Sequence, residues 1–169
     1  EARAGEMEKR NVLFVMSSLR NGGAERSLVN VLQLLDYDRY NVDLLLFQNE
    51  GMFLKQVPKA VNIISNCNKL YTLYDNNKAE ALKHPYLSAV HMIGTFISRK
   101  KTNSVAKSRQ YRWEHFYKKI VPELTKEYDV AIAYMQREQT YFLVDKVKAA
   151  KKITWVHNEY SQLGHFKEM

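Results

Sequence analysis

Three stretches of this chain carry residue types whose order could do chemistry. The first is Ser17-Ser18-Leu19-Arg20-Asn21-Gly22-Gly23-Ala24-Glu25-Arg26-Ser27, set between a short apolar run and a helical pattern. A helix start presents free N–H groups and a partial positive charge that suit phosphate or another anion, and paired glycines let a ligand come close to the backbone because no Cβ intervenes. A plainer reading is open beside it: Gly22 and Gly23 only make the turn, and Glu25 only favours the helix start through the dipole. The stretch is not a dinucleotide fingerprint, which needs glycines near the positions of Ser17 and Leu19, and no G-K-[ST] follows to make a P-loop.

The second stretch is His157-Asn158-Glu159, directly after the strand expected over Lys152–Val156. A histidine at a strand's carboxyl end can hydrogen-bond a sugar hydroxyl or a phosphate oxygen, and its pKa near neutrality permits proton exchange. A structural histidine is the competing reading. His84, His91, His115 and His165 show no ligand spacing and read as structural or solvated, so no metal site is expected. The third stretch runs from Arg99 to Lys119, where eight lysines and arginines stand against Glu114 alone. Aromatic residues between them, Trp113, Phe116 and Tyr117, recur with Ile120 and Leu124 at the spacing of a core-facing stripe, which leaves the basic residues on a solvated face. Nucleic acid is not expected as a partner. An anionic membrane surface fits better, because the apolar Tyr86–Ile97 segment followed by Arg99-Lys100-Lys101 has the form of an interfacial element.

The elements that hold these stretches follow from periodicity. Asn11–Ser17 is a near-continuous apolar run, as expected of a strand buried on both faces, and Leu28, Val31, Leu32 and Leu35 then mark one helical face. Further strands are predicted at Val42–Phe47, Val61–Ser65, Asp129–Tyr134 and Lys152–Val156. A short helix is predicted over Gly51–Val57, and longer ones before Pro122 and over Gln139–Ala149. Alternation of this kind requires βαβ units, so the expected fold is an α/β Rossmann-like three-layer domain with a parallel sheet of at least five strands. Residues 76–127 read as a helical, basic insertion.

The chain has 169 residues, 26% of them charged, a formal charge of +8 and one cysteine, Cys67. That composition fits a soluble domain with anionic partners, excludes an intrachain disulfide framework, and points to the cytoplasm as the default location. No segment has the length and apolarity of a spanning helix. Met7 reads as the natural start, with residues 1–6 a remnant before it.

The run Lys9–Leu32, K-R-N-V-L-F-V-M-S-S-L-R-N-G-G-A-E-R-S-L-V-N-V-L, resembles the opening of family 4 retaining glycosyltransferases, whose first strand and helix carry a G-G-[AT]-E motif. Lys152–Tyr160, K-I-T-W-V-H-N-E-Y, resembles the strand and histidine that in that family face the acceptor and the transferred sugar. The resemblance implies the N-terminal, acceptor-side half of a two-domain GT-B enzyme, with residues 7–169 forming that half and the donor-binding half absent. It further implies that Gly22 and Gly23 approach a diphosphate or an acceptor phosphate, that Glu25 caps the same helix start, that His157 is the catalytic contact to the sugar, and that Asn158 joins the substrate site. Its substrates would be a nucleotide sugar and a glycan or lipid-linked acceptor, without metal or other cofactor, at the inner face of the membrane. The half alone would be inactive. Two alternatives are a nicotinamide-dependent Rossmann enzyme and a non-catalytic, basic module that binds a membrane surface.

Overall fold

Side chains of a strand leave its sheet alternately on either side, and in the first strand, β1 (Arg10–Met16), both sides are buried. Val12, Phe14 and Met16 enter one core, and Leu13 and Val15 enter the other. This is the pattern of a central parallel strand covered by helices on both faces. The computed structural model describes residues 8–64, Leu73 and residues 82–157. Around β1 it places β2 (Tyr40–Leu46), β3 (Asn62–Ile64), β4 (Glu127–Ala133) and β5 (Lys148–Thr154) in one sheet of order β3-β2-β1-β4-β5. Every pairing is parallel, as the α/β Rossmann-like reading requires.

One face is covered by α1 (Gly23–Leu34), which buries Leu28, Val29 and Leu32 against Phe14, Met16 and Leu44. The other carries the insertion, α2 (Pro85–Lys101) and α3 (Val105–Arg112), together with α4 (Glu138–Lys146). Helix α3 runs on into a single π-helical turn, Trp113–Tyr117, closed by the Lys118 N–H donating to the Trp113 carbonyl at 2.9 Å. Trp113 and Tyr117 are buried there with Leu87 of α2 and Phe142 and Leu143 of α4.

Several predicted boundaries are corrected. The helix expected to reach Pro122 ends at Tyr117, because the Ile120 and Val121 N–H groups both turn back onto the Tyr117 carbonyl. Leu124 is not helical; its N–H donates to the Lys146 carbonyl at 2.8 Å. The helix predicted to continue to Ala149 stops at Lys146, and β5 starts at Lys148 instead of Lys152. Ala149-Ala150-Lys151-Lys152 favours helix by intrinsic propensity, but the ladder to β4 wins. The short helix expected over Gly51–Val57 contracts to a 3-10 turn at Leu54–Gln56. Residues 1–6, Cys67, Asn76 and Asn158 lie outside the described residues.

Candidate functional site

β1 and β4 lie side by side, yet the chain leaves β1 for α1 on one face of the sheet and leaves β4 for α4 on the other. The crevice beyond their carboxyl ends is the topological switch point, where open α/β sheets collect ligands. Its first wall is the loop from Ser17 to Gly22. Loops are held where their backbone polar groups find partners, and here the partner is the loop after β2. Gln48 N–H donates to the Ser17 carbonyl at 2.7 Å, Leu19 N–H to the Glu50 carbonyl at 2.9 Å, and Phe53 N–H to the Leu19 carbonyl at 3.2 Å. Arg20 Nε adds a bond of 2.6 Å to Glu50 Oε1. Between these bonds sits Gly51, with φ of +129°, where a Cβ would run into the Leu19 carbonyl. Sequence reading missed Gly51, since a lone loop glycine carries no signal of what its backbone touches.

Gly22 is the extended residue just ahead of α1, and its carbonyl accepts the first helical bond, from Arg26 N–H at 3.1 Å. A Cβ on Gly22 would collide with the Glu25 carboxylate, which folds back over the helix start. Gly23 differs: a Cβ there would meet nothing within 4 Å. The approach to α1 is thus lined by a carboxylate at Gly22 and open at Gly23. Because Gly23 faces open space, Gly23→Ala is expected to leave the thermal unfolding midpoint unchanged or slightly raised, by up to about 1 kcal/mol in stability. A clear fall in a circular-dichroism melt would show that the position is needed by the fold itself.

The second wall comes from the ends of β4 and β5. His157 Nε2 lies 2.8 Å from the Tyr134 carbonyl, which can only accept, so Nε2 carries the hydrogen and a neutral ring has its lone pair on Nδ1. The ring packs against Tyr134 at 5.1 Å between centroids and stacks on Trp155 at 6.1 Å. Tyr134 is fully buried; its N–H donates to the Val15 carbonyl at 2.9 Å and its hydroxyl lies 2.9 Å from Ser27 Oγ in α1. One side chain therefore ties the helix that Gly23 opens to the residue that holds His157. In the sequence Tyr134 is only the last residue of a predicted strand, and nothing in its spacing marks it as a bridge.

A cavity of about 580 Å3 adjoins the crevice on the α2–α3 side. Small residues bring these helices close: Ser98 and Ser108 hydrogen-bond at 2.8 Å where both are buried, and a Cβ on Gly94 would stand only 3.3 Å from the Phe116 ring. Arg99, Arg109 and Arg112 turn to this cavity, with Ser17, Glu138 and Gln139 on the sheet side. The expectation that the basic stretch lies on a solvated face is corrected for Arg109 and Arg112, which are half-buried, whereas Arg99 at the cavity rim is exposed as expected. Arg109 pairs with Glu138 at 3.3 Å, and Arg112 Nη1 donates to Thr95 Oγ1 at 2.9 Å. The α4 start beside them is entered through Arg137, whose φ of 79° is the only positive value among the described non-glycine residues. Left-handed backbone at a bulky residue costs energy and is held here by the β4–α4 junction.

His91 lies in the same wall. Its Nδ1 is 2.7 Å from the Leu73 carbonyl and 3.0 Å from the Tyr117 hydroxyl. Burial pushes its pKa down, the Arg112 charge acts in the same sense, and the Leu73 carbonyl opposes both without reversing them. It stays neutral at pH 7. Burial also pushes the Tyr117 hydroxyl up to about 12, so it is a hydrogen-bonding group and not an acid at neutral pH.

Among the described residues no group of His, Cys, Asp and Glu is placed to hold a metal ion, and no helix is long and apolar enough to cross a membrane. Comparison of the chain with protein-family models, with curated proteins and with solved structures returned no match.

Proposed function

We propose that this chain is the acceptor-side half of a retaining glycosyltransferase that moves a sugar from a nucleotide sugar to a glycan or lipid-linked acceptor. The observation that carries the reading is the convergence on Tyr134, at the carboxyl edge of the parallel sheet, of His157 and of Ser27 in the helix that the G-G-A-E turn opens. His157 Nδ1 is the acceptor for a sugar hydroxyl, and its ring is held in one orientation by the Tyr134 carbonyl and by Trp155. The open face at Gly23 admits an oxyanion to the N–H groups of α1, while Glu25 covers the neighbouring Gly22 side. Helix-end and cationic donors can stabilise a departing diphosphate, so the reading calls for no metal.

The test is sugar transfer by the full-length protein from UDP- and GDP-sugars. His157→Ala is expected to lower turnover about 100-fold and Gly23→Val to abolish most of it, with the thermal midpoint of this domain held. Near-normal turnover in both variants would end the assignment. Titration of the present chain with the same sugars is expected to give weak or undetectable binding, since the reading assigns the donor pocket to the other half. Submicromolar affinity would put that pocket here. NAD or NADP binding remains the rival, because the strand order is also that of dinucleotide-binding sheets. Ser17 and Leu19 in place of the first two fingerprint glycines work against it, and saturable micromolar binding of NAD would favour it.

Association with an anionic membrane is part of the proposal. Tyr86, Ile93, Phe96 and Lys100 fall on one side of α2, and Tyr86, Met92, Ile93 and Phe96 are each more than half exposed. Lys100 Nζ sits 4.5 Å above the Phe96 ring, so charge and apolar surface are presented together. Vesicles containing anionic lipid are expected to sediment the protein at low salt and to lose it as salt rises, with Phe96→Asp weakening the association about tenfold. Equal recovery on neutral vesicles would remove the membrane from the account.

A further inference from the structure

From the α2–α3 cavity we infer a binding site for a phosphate-type dianion, a phosphomonoester or diphosphate group held by Arg99, Arg112 and Arg109. The inference rests on the cavity alone and does not depend on the transferase reading. Three arginines face the space against one carboxylate, Glu138, so two positive charges are left over. That surplus matches a dianion.

Arg112 carries the argument furthest. Its Nε is shielded from solvent and has no hydrogen-bond partner, and only Nη1 is engaged, on a neutral threonine. Among the described residues it has no carboxylate partner; the nearest acid in sequence, Glu114, accepts a hydrogen bond from Gln110 at 2.8 Å. A guanidinium N–H removed from water with no acceptor is costly, and such a donor in a native structure needs an explanation. Its planar fork offers paired donors that fit two oxygens of a phosphate.

Placement supports the class of ligand. Arg109 and Arg112 stand three residues apart on α3, and Arg99 comes from the last turn of α2, so the fork is built from two helices fixed to each other by the Ser98–Ser108 bond. At about 580 Å3 the space is much larger than a lone phosphate and has room for the organic group that bears it. Arg109 is already neutralised by Glu138, which makes it the adjustable member: an arriving oxyanion can share it without stranding a buried charge.

The experiment is calorimetric titration of the chain with inorganic pyrophosphate and with ribose 5-phosphate, alongside sedimentation with vesicles containing phosphatidic acid. Saturable binding of either soluble probe is expected, weakened about tenfold or more by Arg112→Gln and by Arg99→Gln. Lys151→Gln on β5 removes the same charge at an exposed residue that does not line the cavity and is expected to change affinity less than twofold. Binding confined to phosphatidic acid vesicles, with the same two variants defective, identifies a lipid headgroup as the source of the phosphate and supports the site. Arg99 is near the surface, so Arg99→Gln keeps the test valid if Arg112→Gln melts early. No saturable binding to any probe overturns the inference. So does an effect of Lys151→Gln equal to that of the two arginine variants.

Discussion

Replacing Gly51 by alanine is expected to destabilise the domain by about 3 kcal/mol and to lower its thermal midpoint by about 6–12 °C. Two costs combine. At φ of +129° an L side chain is strained, and the new Cβ meets the Leu19 carbonyl, backbone that cannot swing aside as a side-chain tip would. Relief requires the Ser17–Gly22 loop to part from the loop after β2, breaking the Leu19–Glu50 and Phe53–Leu19 bonds. Hydrogen exchange at the Leu19 and Phe53 amides is therefore expected to quicken even under conditions where the variant is folded. The same variant is expected to lose activity at the crevice, since that loop is its first wall. A midpoint within about 2 °C of the parent, with unchanged exchange at Leu19, would show that the two loops are not coupled in this way.

The second large effect is at Asp43, a carboxylate in the middle of β2 and only 3% exposed. Burial acts to raise its pKa, but hydrogen bonds from Asn62 (2.9 Å), Lys126 (2.9 Å) and Tyr128 (2.8 Å), with the Lys126 charge, outweigh it and hold the group below its usual range. Burial, joined by the bond to Asp43 and its charge, pushes the Tyr128 hydroxyl well up. Asp43→Ala leaves the Tyr128 hydroxyl and the Asn62 amide without their acceptor and is expected to cost about 3 kcal/mol by urea unfolding at pH 7. Asp43→Asn keeps an acceptor and is expected to cost about half as much. The pH dependence has a definite sign. A depressed carboxyl contributes its stability above the unfolded pKa of about 3.9 and loses it as pH falls through the lower, folded value. The gap between parent and Asp43→Ala is thus expected to be constant from pH 7 to 5 and to close below about pH 4. A gap that widened in acid would contradict the network.

Some of this was legible in the sequence, for physical reasons that can be stated. β1 and α1 were, because a strand buried on both sides must be apolar throughout and a helix on a sheet must be apolar every three to four residues. β5 was only half legible: Lys148-Ala149-Ala150-Lys151-Lys152 is mostly exposed, and its strand conformation comes from pairing with β4, which no local pattern encodes. At the site, His157 and the G-G-A-E turn stand out by residue type, whereas Tyr134 does not, because its role depends on Ser27 and His157 arriving from distant parts of the chain. By spacing Arg109 and Arg112 belong to the solvated face, yet both are half-buried. Spacing separates one helix face from another, but whether a polar face meets water or a second helix is decided by the packing of α2, through Gly94, Ser98 and Ser108.

The π-helical turn at Trp113–Tyr117 sets an angular phase. Each residue of an α-helix advances the chain by about 100° around the axis, so one residue more or less between two fixed points turns everything beyond it by that amount. Trp113 and Tyr117 are the fixed points, since both are sealed in the core and Trp113 Nε1 is further moored to Asp145 Oδ2 at 2.6 Å. The extra residue accommodated in the wide turn therefore decides which way the upstream helix aims its guanidiniums. Deleting the exposed Glu114 would let the segment relax to ordinary α-helical winding, so that with Tyr117 held in the core the upstream helix turns by roughly a quarter turn, taking Trp113 off Asp145 and Arg109 and Arg112 off the cavity, at no change in the arginine count. The electrostatic character of this domain is in that sense indexed by a single peptide unit.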